Sequence, residues 1–85
     1  MIINIYAIYD KKAESTDKPF VCPNDAVAIR SVKELVKNQT HFQQNANDYY
    51  LMKCGEYNMD KGEIDPMQKI VIEFTELVEK TDEQK

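Results

Sequence analysis

The 85-residue chain contains no tryptophan, two glycines, three prolines, two cysteines and one histidine, and each scarcity removes a class of function. With only Gly55 and Gly62, there is no glycine-rich loop to cradle a phosphate. Cys22 and Cys54 form no CxxC pair. Together with the single His41 they are too few and too dispersed for a structural zinc site, so no metal or other cofactor is expected. Both thiols read as small, partly buried hydrophobes that stay reduced in a cytosol. Hydrolytic and transfer enzymes need a nucleophile beside a base, or paired carboxylates in a cleft. His41 stands in a Gln/Asn-rich segment with no serine or cysteine partner in pattern, so the chain is read as nonenzymatic. Asp60-Lys61-Gly62-Glu63 lacks the remaining oxygen ligands of a calcium loop and reads as a hairpin turn. No segment reaches the roughly 20 apolar residues needed to cross a bilayer, and no basic stretch followed by an apolar run opens the sequence. A cytosolic protein without membrane contact is expected.

A chain of this size forms one domain and hides only about 60% of the surface its unfolded form exposes, so its core must be thin and pairing with a second copy would help. Hydrophobic residues make up 42% and charged residues 31%, an ordinary globular balance. The net charge of −4 is unevenly placed: residues 1–40 carry +1 and residues 41–85 carry −5. Nucleic-acid affinity comes largely from clustered Lys and Arg that release counterions, so any such surface belongs in the first half.

Residues 2–9 are β-branched and aromatic and predict a strand. Both of its faces are apolar, with Ile3, Ile5 and Ala7 on one side and Ile2, Tyr6 and Ile8 on the other. A strand of that kind needs a second cover beyond one helix layer, supplied by the remaining chain or another subunit, which makes Ile2, Tyr6 and Ile8 a candidate dimer or partner interface. Residues 10–22 have loop chemistry, with Phe20 and Val21 pinning the far end to the body. Pro23 then biases Cys22 away from helical dihedrals, Asn24 is suited to cap, and Asp25 suits the positive end of a helix dipole. The helix runs to about Lys37 or Asn38, with Ala28, Ile29, Val32, Leu35 and Val36 on one stripe. A polar connection follows, with a short helical turn around His41 and Phe42. Residues 49–57 predict a second strand and residues 58–62 a turn with Gly62 at positive φ. Residues 63–65 begin a return strand that Pro66 limits to a short or edge segment, residues 70–74 predict a last strand, and Leu77 and Val78 dock a short turn. The expectation is a single α+β domain over residues 1–78. It holds a three- to four-stranded, mostly antiparallel sheet, β-α-β-β with or without a fourth strand, with one principal helix on one face. Residues 79–85 read as an acidic solvated tail.

Lys11, Lys12, Lys18 and Phe20, with Arg30 and Lys33 on the outer helix side and Tyr6 or Tyr9 close by, form the candidate nucleic-acid site. Single strands are held by this mixture, cations tracking the backbone and aromatic faces stacking bases at about 1–3 kcal/mol each. Asp10, Glu14, Asp17 and Asp25 interrupt it, and a solvated mixed-charge loop is the competing reading.

The run Ile5-Tyr6-Ala7-Ile8-Tyr9-Asp10-Lys11-Lys12-Ala13-Glu14, then Lys18-Pro19-Phe20 and Asn24-Asp25-Ala26-Val27-Ala28, resembles the small nonstructural protein of gokushovirus-type microviruses, bacteriophages with single-stranded DNA genomes. A second echo runs from Gly55-Glu56-Tyr57-Asn58 to Gly62-Glu63-Ile64. The resemblance implies a protein of the host bacterial cytoplasm, absent from the mature virion. It implies binding to single-stranded DNA or to the replication complex, helping the switch from double-stranded replication to single-stranded packaging. No catalytic residues come with it. The competing class is a homodimeric interaction module acting on a viral replication or assembly protein or a host factor.

Overall fold

The computed structural model describes residues 1–78; the tail read at 79–85 lies outside them. The order of elements is β1 (Ile2–Asp10), β2 (Ser15–Thr16), β3 (Phe20–Cys22), α1 (Asp25–Asn38), α2 (Thr40–Gln44), β4 (Tyr49–Asn58) and β5 (Glu63–Glu73). Short 3-10 turns precede β4 at Ala46–Asp48 and follow β5 at Phe74–Glu76. All pairings are antiparallel, in the order β2-β1-β4-β5. β2 pairs with Tyr9 and Asp10, and β3 with Asn4 to Tyr6, so these two pieces share the edge of β1 that β4 leaves free. The architecture is α+β, a sheet with one main helix, as the apolar periodicities require.

The helix begins where its cap chemistry puts it. Asn24 is extended, and its side-chain oxygen accepts the Val27 N–H at 2.9 Å. Ala28, Val32 and Val36 form the buried stripe and pack on Tyr6, Ile8, Leu51 and Phe74. At the other end, the Gln43 amide donates to the Val36 and Lys37 carbonyls at 3.0 and 2.9 Å, satisfying acceptors that a helix terminus leaves open. This bond ties α2 to α1 and brings Phe42 against Tyr49 and Phe74, with ring centroids 4.9 and 5.5 Å away.

Two expectations about strands are corrected. The 10–22 segment is not all loop, because its residues at 15–16 and 20–22 complete hydrogen bonds along β1. Pro66 does not divide the return strand, and β5 runs unbroken for 11 residues. It stands on the sheet edge, one of the two places the sequence allowed it, opposite Gly55 at a register shift, where a residue without an N–H is tolerated. Gly55 is needed there: a Cβ on it would meet the Asp65 carbonyl oxygen at 2.7 Å. The connecting turn is held by Asn58, whose side-chain oxygen accepts from the Asp60 and Lys61 N–H groups. Gly62 takes φ +70°, as its position in the sequence suggests.

Side chains alternate across the sheet. One face carries Tyr6, Ile8 and Leu51 under α1. The other carries Ile3, Ile5, Ala7, Tyr9, Tyr50, Met52, Tyr57, Ile64 and Ile70 by register, and no helix lies over it. Tyr6 is fully buried and Ile8 is 8% exposed, so of the three residues expected as a partner interface α1 covers Tyr6 and Ile8, and Ile2 alone stays outward. The uncovered apolar surface is the opposite face, where Val21, Ile64 and Ile70 are 57%, 62% and 53% exposed.

Candidate nucleic-acid interface

The six residues expected to contact nucleic acid are spread over both faces of the sheet. Lys11 follows β1, and its Nζ lies 3.0 Å from Glu73 Oε1 and 5.8 Å from the centroid of the Tyr50 ring. Lys12 Nζ is 3.6 Å from Asp48 Oδ2. Lys18 is exposed, its backbone N–H donating to Asp17 Oδ1 at 2.8 Å. Phe20 belongs to the edge of the core, stacked on Tyr6 with centroids 5.9 Å apart, and is half-buried. Arg30 and Lys33 lie on the outer side of α1 with Lys37, three exposed cations with no ion pair among the described residues. Lys11 therefore leans over the helix-free face, whereas Arg30 and Lys33 stand on the layer that covers the other one.

A feature that sequence alone does not single out is the pair Tyr9 and Tyr50. They are register partners on β1 and β4, with ring centroids 5.0 Å apart and planes 24° from parallel. Both line a groove of about 560 Å³ on the helix-free face, bounded by Thr16 on one side and by Gln68, Lys69 and Ile70 on the other. Tyr9 is visible as a neighbour of Lys11 in sequence. The contribution of Tyr50 depends on the β1–β4 register, which no local pattern sets.

The chemistry of the remaining titratable groups is quiet. Tyr6 is pushed up to about 12, chiefly by burial and then by the bond its hydroxyl donates to Asp25 Oδ1 at 2.5 Å; Asn4, donating to the same hydroxyl, pulls the other way. Burial raises both Cys22 and Cys54, which keeps the thiols protonated and poor nucleophiles. Among the described residues no group of three or more His, Cys, Asp or Glu could hold a metal ion. No helix among them is long and apolar enough to cross a membrane.

The sequence profile of the phage ORF5 proteins matches residues 3–77, from β1 through the turn after β5. The chain belongs to the phage ORF5 protein family. That match includes both faces of the sheet, α1 and the groove, so the surfaces described above are parts of an ORF5 domain rather than additions to it. No curated protein and no solved structure gives a significant match. The family establishes a bacteriophage accessory protein, consistent with the coarse part of the resemblance seen in the sequence.

Proposed function

We propose that this phage ORF5 protein is a nonenzymatic accessory factor that contacts single-stranded DNA, or the replication complex carrying it, and helps turn double-stranded replication toward single-stranded packaging. It does so in the host bacterial cytoplasm, outside the mature virion, in a phage of the gokushovirus type. The observation that carries this reading is the Tyr9–Tyr50 pair on the helix-free face, with the Lys11 ammonium over the Tyr50 ring. Aromatic faces accept unstacked bases of any sequence, and a cation beside them meets the adjoining phosphate; Tyr9 and Tyr50 are half-buried and offer the ring faces they do not turn to each other. The groove also offers Thr16, Gln68 and Lys69 to sugar and phosphate oxygens, while Glu14 in the same wall opposes a phosphate.

The cations limit the strength of such binding. Lys11 and Lys12 are partnered by Glu73 and Asp48, so a phosphate must displace a carboxylate to use them. With a net charge of −4, the chain is suited to contact strand segments, not to coat a genome. Titration into a labelled single strand of about 30 nucleotides at low and near-physiological salt tests this, because the salt slope counts phosphate contacts. Saturable binding that prefers the single strand is expected, weakened about tenfold by Tyr50→Ala. Absence of binding at low salt removes direct DNA contact.

A second reading rests on a different part of the same face. Ile3, Ile5, Val21 and Ile64 form an apolar area away from the tyrosine pair, of the kind that marks a protein interface. A second copy pairing there by a twofold axis, or a viral replication or assembly protein, would cover it. Such binding tolerates salt and is lost on Ile64→Lys, whereas the DNA reading depends on Tyr50.

A further inference from the structure

On the helix side of the sheet, a separate pocket of about 260 Å³ opens between the β2 edge and α2. It meets the tyrosine groove only at Ser15 and Thr16. Its aromatic lining is His41, Phe42 and Tyr49, its polar lining Asp10 and Asp17, and Ile8 is part of it from β1. The rings are held in place by one another. Phe42 and Tyr49 meet edge to face with centroids 4.9 Å apart, and His41 Nε2 lies 2.7 Å from the Tyr49 hydroxyl.

The two carboxylates are only half used. One oxygen of Asp10 accepts the Lys12 and Ala13 N–H groups, and one oxygen of Asp17 accepts that of Lys18. Neither carboxylate forms an ion pair among the described residues, and the nearby Lys11 and Lys12 are engaged by Glu73 and Asp48. The negative field reaches the rings: the Tyr49 hydroxyl is raised first by burial, then by Asp10 and Asp48. A concave site that joins aromatic walls to unneutralised carboxylates favours a cation with a flat apolar body over a compact hydrated ion. A guanidinium stacks on rings and pairs with carboxylates through its edge, which an ammonium does less well.

The geometry points to this pocket as a receptor for the guanidinium of an arginine side chain presented by a protein partner. The assignment is independent of DNA binding, since it uses the other side of the sheet and the opposite sign of charge. It gives an acidic protein a place to hold a basic partner while the tyrosine groove stays open.

The test is amide NMR of the full chain titrated with N-acetyl-arginine methylamide, alongside the isosteric but neutral citrulline analogue, the lysine analogue and deoxyguanosine monophosphate. Saturable shifts confined to residues 8–10, 15–17 and 41–49, caused by the arginine compound and not by citrulline, are expected. Asp17→Asn keeps the acceptor for the Lys18 N–H and should weaken the arginine response about tenfold without moving signals elsewhere. Equal responses to arginine and citrulline, equal or tighter binding of the lysine or nucleotide compound, or shifts mapping outside the pocket would each overturn the assignment.

Discussion

The two faces of this sheet come from the same strands and have opposite fates. On one, Tyr6, Ile8 and Leu51 are sealed under α1, and the polar atom carried in with them, the Tyr6 hydroxyl, is bonded to Asn4 and Asp25. On the other, residues of similar hydrophobicity such as Val21, Ile64 and Ile70 remain more than half exposed. Hydrophobic character alone therefore does not decide exposure in so small a domain: on the helix-free face Ala7 and Met52 are buried by their neighbours in the sheet, while the residues around them stay outward.

The largest test of that division is Phe74→Ala. Phe74 is fully buried, among Phe42, Tyr49 and the helix stripe. The truncation should cost about 3–5 kcal/mol, read as a lower denaturation midpoint, enough to unfold much of a domain this size. Next comes alkaline pH. The Tyr6 phenol titrates near 12 in the fold against 10.0 when free, so the folded state holds its proton more tightly. Its contribution is complete below pH 10 and lost as pH rises toward 12, about 2–3 kcal/mol in all. Tyr6→Phe should flatten that part of the stability profile in urea titrations at stepped pH. A flat wild-type profile would mean the hydroxyl is better solvated than its packing indicates.

Gly55→Ala ranks third, at about 1–3 kcal/mol. The new methyl meets backbone of β5 rather than a movable side chain, so the strands must part. Amide exchange faster in the β4–β5 hairpin than around α1 would localise the damage. Smallest is Ile64→Lys, expected to change stability by less than about 0.5 kcal/mol because the residue is 62% exposed. A substantial loss that depends on protein concentration would show that a second copy normally covers the bare face, sharpening the comparison by moving Ile64 from surface to interface.

Much of this fold was legible from local chemistry. Pro23, Asn24 and the spacing of Ala28, Val32 and Val36 mark α1 at both start and buried side, and Gly62 marks its turn, because those signals act within a few residues. Pro66 allows a short strand or an edge strand, and the choice of the edge is made by the partner strand, where Gly55 faces it. The short edge pieces β2 and β3 have no period of their own and exist because β1 offers them hydrogen bonds. The candidate cations were visible, but their partners were not: Lys11 and Glu73 are 62 residues apart, and only the closing of the sheet brings the pair together. The aromatic groove is hidden for the same reason. It consists of a register, Tyr9 against Tyr50, more than of any motif.

The proline in β5 has one more consequence. An 11-residue outer strand is a ready template for the next molecule. Pro66 removes a donor from that border, and the register shifts near Lys53 and Leu51 bend the ladder away from the flat geometry that stacking requires. Both features blunt the border against side-by-side pairing of copies into an endless ribbon.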